Sequence, residues 1–147
     1  MKDFKRRYIL AALLSLLLTP QVFGKESSMA IRYLECLTAV WEQNATVKDI
    51  QALGELYAEQ ITYKHPGVGV EMTGRDVVLG AMENFLGTSR LPQPSDVETI
   101  MGTGVTVISF NLRLEVQSND SWLSVERHQV IVLETDNDVI TSITDYW

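Results

Sequence analysis

The stretch Leu56–Leu86, LYAEQITYKHPGVGVEMTGRDVVLGAMENFL, decides how the rest of the chain is read. Its opening residues continue an apolar helical pattern, which predicts a helix ending near Glu59. A short strand is expected next, with Ile61, Tyr63 and His65 on one face by the two-residue period of extended chain. Pro66-Gly67 interrupts it. Val68 to Met72 can return as a second short strand. Thr73-Gly74 turns the chain into a helix from about Arg75 to Leu86. A phenol, an imidazole and an aliphatic side chain are thereby presented together between two helices, and this is where a site is expected.

Upstream, Ala30, Tyr33, Leu34, Leu37, Val40 and Trp41 recur at i, i+3, i+4 and i+7, the stripe of an amphipathic helix. Ser27 or Ser28 is the expected cap. Ile50, Leu53, Leu56 and Tyr57 predict a second helix over about Lys48–Glu59. In the third helix Val77, Val78, Ala81, Met82, Phe85 and Leu86 are expected to be buried. Downstream, Leu91–Asp96 holds two prolines and reads as a loop. Then the period falls to two. Ile108, Phe110, Leu112, Leu114 and Val116 alternate with polar residues, as in a half-buried strand. Trp122–Glu134 is a second such strand, with Leu123, Val125, Arg127, Gln129, Ile131 and Leu133 on one face. Val139–Tyr146 is the last. Three helices, a short hairpin and three long antiparallel strands make an α+β order. The strands are long enough to curve into a half-open, mainly antiparallel sheet whose concave face the helices close.

The first residues read differently. Lys2, Lys5, Arg6 and Arg7 precede the apolar run Tyr8–Leu18, which is too short to span a bilayer comfortably, and Val22-Phe23-Gly24 follows. The succession predicts a signal peptide over residues 1–24, with the domain over 25–147, export to the periplasm or medium, and no transmembrane span after cleavage. An uncleaved anchor is the alternative. The chain has 147 residues, 12 Lys+Arg and 19 Asp+Glu. Four of the basic residues and Asp3 fall in the leader, so the remainder carries a net charge of about −10. That argues against nucleic acid as a partner and against anionic membrane surfaces. Cys36 is the one cysteine, so no internal disulfide forms. It is open to an inert buried thiol, an intermolecular bridge or a nucleophile. No metal and no cofactor are expected: His-x-His, paired cysteines, Glu-x-x-His and glycine-rich phosphate loops are all missing from the sequence.

The element order, with Tyr57-Ala58-Glu59, His65-Pro66, Gly74-Arg75-Asp76, Ile140, Ile143 and Asp145-Tyr146-Trp147, resembles the nuclear transport factor 2-like superfamily. The chain looks most like its SnoaL-like and ketosteroid isomerase-like branch, over roughly Tyr33–Trp147. The resemblance implies a conical α+β barrel with a deep apolar pocket, often dimeric through the outer sheet face. Activity does not follow, because the superfamily spans several reactions and many non-catalytic members. In the isomerases an aspartate base precedes the proline that ends the first strand, and His65 stands there. Their oxyanion tyrosine aligns with Trp41 and their protonated aspartate with Gln129. In limonene epoxide hydrolases an Arg-x-Asp works with an Asp of the last strand. Here Arg127 and Asp145 match, but Gln129 replaces the intervening acid. Neither constellation is intact.

The candidate catalytic residues are therefore His65, Asp145 and Arg127, and the candidate ligand-binding residues Trp41, Tyr63 and Gln129. An imidazole is a competent general base near neutrality. A charge on an apolar face needs a partner, so Arg127 and Asp145 on adjacent strands are expected to pair. His128 falls on the face opposite Gln129, outside the pocket. The expected activity is binding of a small apolar organic molecule, with acid–base isomerisation, cyclisation or elimination on a carbonyl compound; a non-catalytic binding or interaction module is the alternative. A homodimer is expected through the face carrying Trp122, Val130 and Val132.

Overall fold

The computed structural model describes the backbone from residue 23 and side chains from residue 29. The expected leader and its cleavage point lie outside the described residues, except that Phe23 and Gly24 open the first helix. That helix, α1, runs Phe23–Val40, so Ser27 and Ser28 are inside it rather than capping it. Ala30, Tyr33, Leu34, Leu37 and Val40 are buried along one stripe, as the spacing predicts. Next comes α2, Val47–Gly54. Asp49 accepts hydrogen bonds from the Thr46 N–H (2.7 Å) and hydroxyl (2.9 Å), closing the helix start.

The second helix ends earlier than its apolar pattern suggests. β1 already begins at Tyr57 and runs to His65. Leu56 and Tyr57 are buried either way, and spacing alone does not separate the two geometries over so few residues. β1 lies parallel to the last strand, with Tyr57 opposite Ile140 and Tyr63 opposite Ile143. After a 3₁₀ turn at Pro66–Val68, β2 (Val70–Thr73) pairs antiparallel with β1. α3 is Arg75–Glu83, one turn shorter than expected. Val78 is its buried residue, whereas Val77 (55 % exposed) and Phe85 (69 %) face outward. Their apolarity rims a cavity mouth or solvent, not the core.

Four long strands follow, not three. β3 (Ser89–Gly102), β4 (Val105–Ser118), β5 (Ser121–Asp136) and β6 (Val139–Tyr146) form successive antiparallel pairs. The expected loop Leu91–Asp96 is part of β3. Its prolines are tolerated because β3 is an edge strand, and the order is β2-β1-β6-β5-β4-β3. The register shifts twice there, beside Leu91 (φ 52°) and Asp96 (φ 51°), as bulges do when they bend an edge. The six-stranded sheet stays open, mainly antiparallel with one parallel pair. Phe110, Leu112, Ile131, Leu133, Ile140 and Ile143 fill its concave face with no exposed surface, each side chain stabilising the fold by about 1.5–3 kcal/mol. No described helix is long and apolar enough to cross a membrane.

Candidate active site

The helices do not fill the concave face at its β2 end. They leave a cavity of about 350 Å³ between α1, α3, β1, the β2 hairpin and the ends of β5 and β6. At roughly 30 Å³ per water-sized group, it has room for about a dozen non-hydrogen atoms. Its walls are mostly aliphatic and aromatic, from Leu37 and Val40 on α1 to Met72 on β2 and Met82 on α3.

Five of the six candidate residues line this cavity: His65, Tyr63, Asp145, Arg127 and Trp41. His65 is the last residue of β1 and is 5 % exposed. Both its ring nitrogens are buried and lack a hydrogen-bond partner. The Trp147 indole meets it edge-on, with centroids 4.6 Å apart. Gly67 makes room for the ring: a Cβ there would stand 3.3 Å from the His65 Cε1. Trp41 follows α1, and its carbonyl accepts the Ser89 hydroxyl at 2.8 Å, tying the helix end to β3.

Asp145 is the hub of a polar cluster. The Gln129 amide donates to both its oxygens, at 2.8 and 3.0 Å, and the Tyr63 hydroxyl donates to one at 3.3 Å. Burial raises the Asp145 carboxyl above the ordinary carboxylate range. The bonds from Gln129, the proximity of His65 and Arg127 and the bond from Tyr63 oppose the rise without cancelling it. Tyr63 is raised well above the usual phenol value, by burial first and then by the neighbouring Asp145. Gln129 is fully buried and does not line the cavity. Its amide is engaged by Asp145, whereas the sequence offered it as a ligand contact.

The expected Arg127–Asp145 ion pair does not form among the described residues. The register explains why. Asp145 lies opposite Ile131, which makes Gln129 the next side chain on its face and carries Arg127 beyond the end of β6. Arg127 stacks instead on Trp147, 4.2 Å from the ring centroid, with Trp41 6.0 Å away. Burial lowers its pKa, Asp145 acting in the opposite sense.

Three wall residues, Tyr33, Tyr57 and Trp147, are read from the sequence as helix-stripe or motif positions and not as site residues. Tyr33 and Tyr57 face each other in the cavity, both phenols raised by burial. Tyr57 shares the face of Ile61, Tyr63 and His65, and period two would have found it had β1 been started there. Trp147 lies two residues beyond Asp145, on the same face. His128 points outward as alternation requires, with its Nδ1 3.0 Å from the Asn111 Oδ1 and its Nε2 3.2 Å from the Ser109 Oγ. No group of His, Cys, Asp or Glu among the described residues is arranged to hold a metal.

Neither a protein-family model nor a curated protein sequence matches the chain. Solved structures do. One is a protein of ketosteroid isomerase-like fold from Catenulispora acidiphila, in complex with trimethylamine: TM-score 0.60, 21 % identity, 78 % of this chain and 84 % of that one. Another is a protein from Shewanella putrefaciens assigned as a SnoaL-like polyketide cyclase: TM-score 0.70, 15 % identity, 84 % and 89 % coverage. A third is an M. tuberculosis epoxide hydrolase of the LEH-like kind: TM-score 0.59, 16 % identity, 81 % and 82 % coverage. At these identities the likeness speaks for architecture. With the strand order, it shows that this chain has the same open α+β fold as solved structures described as ketosteroid isomerase-like and SnoaL-like.

Proposed function

We propose that the cavity binds a small, mainly apolar organic molecule carrying a carbonyl oxygen, and that His65 moves a proton at the adjacent carbon. Isomerisation, cyclisation and elimination all begin with that step. One observation carries the reading: His65 is buried at the cavity wall with neither ring nitrogen engaged. A buried, unpaired imidazole costs stability, and a ligand proton or acceptor would offset that cost. Arg127 and the Trp41 indole are the donors available to a developing oxyanion. Asp145 is already held by Gln129 and Tyr63, so its part is electrostatic or as an acid.

The test is a turnover screen with activated ketones, β-hydroxy carbonyls and epoxides, followed by comparison of His65→Gln with the parent protein across pH. General-base duty is worth roughly 10²–10⁴ in rate, so a loss below about tenfold removes His65 from that role. A second reading, binding without catalysis, is favoured by a different observation. No side chain among the described residues hydrogen-bonds His65 to orient it, whereas bases in catalytic sites are usually held by a third group. Absence of turnover in the screen, with an unreacted apolar molecule retained on purification, selects that reading.

The proposal includes export and self-association. Mass measurement of exported protein tests cleavage after Gly24, and an intact Met1 in that fraction refutes it. On the outer sheet face Ile100 and Tyr146 are exposed beside the partly covered Val130 and Val132, which suits a second copy. Trp122 contributes less than its position suggests, because Arg90 stacks over it at 4.3 Å. Sedimentation as monomer alone at micromolar concentration refutes the dimer.

A further inference from the structure

Taking the cavity as a ligand site, as proposed above, we infer that its ligand is an organic acid anion: a compact apolar body ending in a carboxylate that docks on Arg127. Several polar groups of the cavity are already used. The carboxylate oxygens of Asp145 accept from Gln129 and Tyr63. The Ser89 hydroxyl donates to the Trp41 carbonyl. What remains is donor-rich. Arg127 makes no hydrogen bond or ion pair among the described residues, and its Nε is buried without a partner. His65, against the same Trp147 indole, has both ring nitrogens free.

At Arg127 the geometry favours an anion over a neutral carbonyl, which leaves the Trp41 indole as the donor for the carbonyl oxygen of the proposed reaction. A guanidinium stacked on an indole has one face occupied, and its edge of N–H groups presents a planar fork. A carboxylate matches that fork with two parallel bonds, where a ketone supplies a single acceptor oxygen. Stacking also holds the fork in place before the ligand arrives, which lowers the entropy lost on binding. The formal net charge of −7 opposes an anion only weakly. At physiological salt, charges beyond about 8 Å are largely screened, whereas a contact with Arg127 inside a partly enclosed cavity is not. Asp145 is the nearest opposing charge, and both its oxygens are turned to Gln129 and Tyr63. The apolar body would lie along Leu37, Val40 and Met82, and the cavity's room for about a dozen non-hydrogen atoms sets its size near that of a phenylalkanoic acid.

The experiment measures binding of 3-phenylpropanoate and 4-phenylbutanoate against their primary amides, by calorimetry near neutral pH. Each amide keeps the shape and the carbonyl and loses the charge. The expected result is at least tenfold tighter binding of the acids by the parent protein. That preference should fall below about threefold in Arg127→Met and be partly kept in Arg127→Lys, with matching near-UV circular dichroism and thermal midpoints of all three proteins as the check that the fold is intact. Equal binding of acids and amides by the parent protein overturns the acid inference and leaves the pocket reading standing. An acid preference that survives Arg127→Met also overturns it, because the carboxylate then docks elsewhere. Binding of neither series overturns this inference and counts against the pocket reading beneath it.

Discussion

Replacing Gln129 by leucine and Asp145 by alanine, singly and together, tests the polar cluster that organises the site. Each single change mixes two opposing effects. Gln129→Leu removes the bonds that its amide donates to both Asp145 oxygens. Hydrogen bonds to a charged group are worth about 1.5–3 kcal/mol. The same change removes the Gln129 carbonyl oxygen, which is buried without a partner, recovering a penalty of about 1–3 kcal/mol. The net effect on stability should be small. Asp145→Ala relieves a buried carboxylate but strands the Gln129 amide N–H groups in a fully buried position, and the two effects again offset. The double-mutant cycle cancels what belongs to each residue alone. By urea unfolding near pH 7 the coupling should be about 1.5–3 kcal/mol. Once Asp145 is protonated the bond becomes one between neutral groups, so near pH 3.5 the coupling should drop to about 0.5–1.5 kcal/mol. A coupling near neutral pH below about 0.5 kcal/mol, the usual error of additivity, would refute the view that Gln129 positions Asp145. So would a coupling that does not change with pH.

Two further outcomes follow from the same geometry. Because burial raises Asp145 from its ordinary 3.8, the folded chain holds that proton more tightly than the unfolded one. The stability due to this group is complete below the unfolded value and is lost as pH rises through the folded one. Asp145→Asn lacks this dependence, so the stability difference should move in the variant's favour between acid and neutral pH; an unchanged difference in paired urea titrations would contradict the shift. Gly104 turns β3 into β4 at φ 70°, and a Cβ there would lie 3.2 Å from the Thr135 carbonyl. Gly104→Ala should cost about 1–2 kcal/mol, and a thermal midpoint at or above that of the parent protein would show that the turn relaxes freely.

Strands β4, β5 and β6 were legible because each has one buried face, and alternation over eight or more residues admits a single reading. The α1 stripe was legible for the matching reason at a period of 3.6. β3 was not, since two prolines and two bulges erase its alternation, and only its place at the sheet edge makes them harmless. The end of α2 was ambiguous because Leu56 and Tyr57 satisfy both periods at once. Val77 and Phe85 are exposed although apolar, Phe85 at the cavity wall and Val77 toward solvent, because apolar character alone does not mark a core.

For the site, sequence alone determined which residues share a face: Ile61, Tyr63 and His65 on β1, and Arg127 and Gln129 on β5. Backbone pleating dictates that, whatever the rest of the chain does. Which of them meet was decided by tertiary structure. The register of β5 against β6 puts Gln129, not Arg127, on Asp145, and sends Arg127 past the strand end onto Trp147 and Trp41. Pairing between strands is a long-range choice, set by the turn at Asn137-Asp138 and by the burial of Ile131, Leu133 and Ile143 together. No local spacing encodes it, so the residues of the site could be read along the chain but their partners could not.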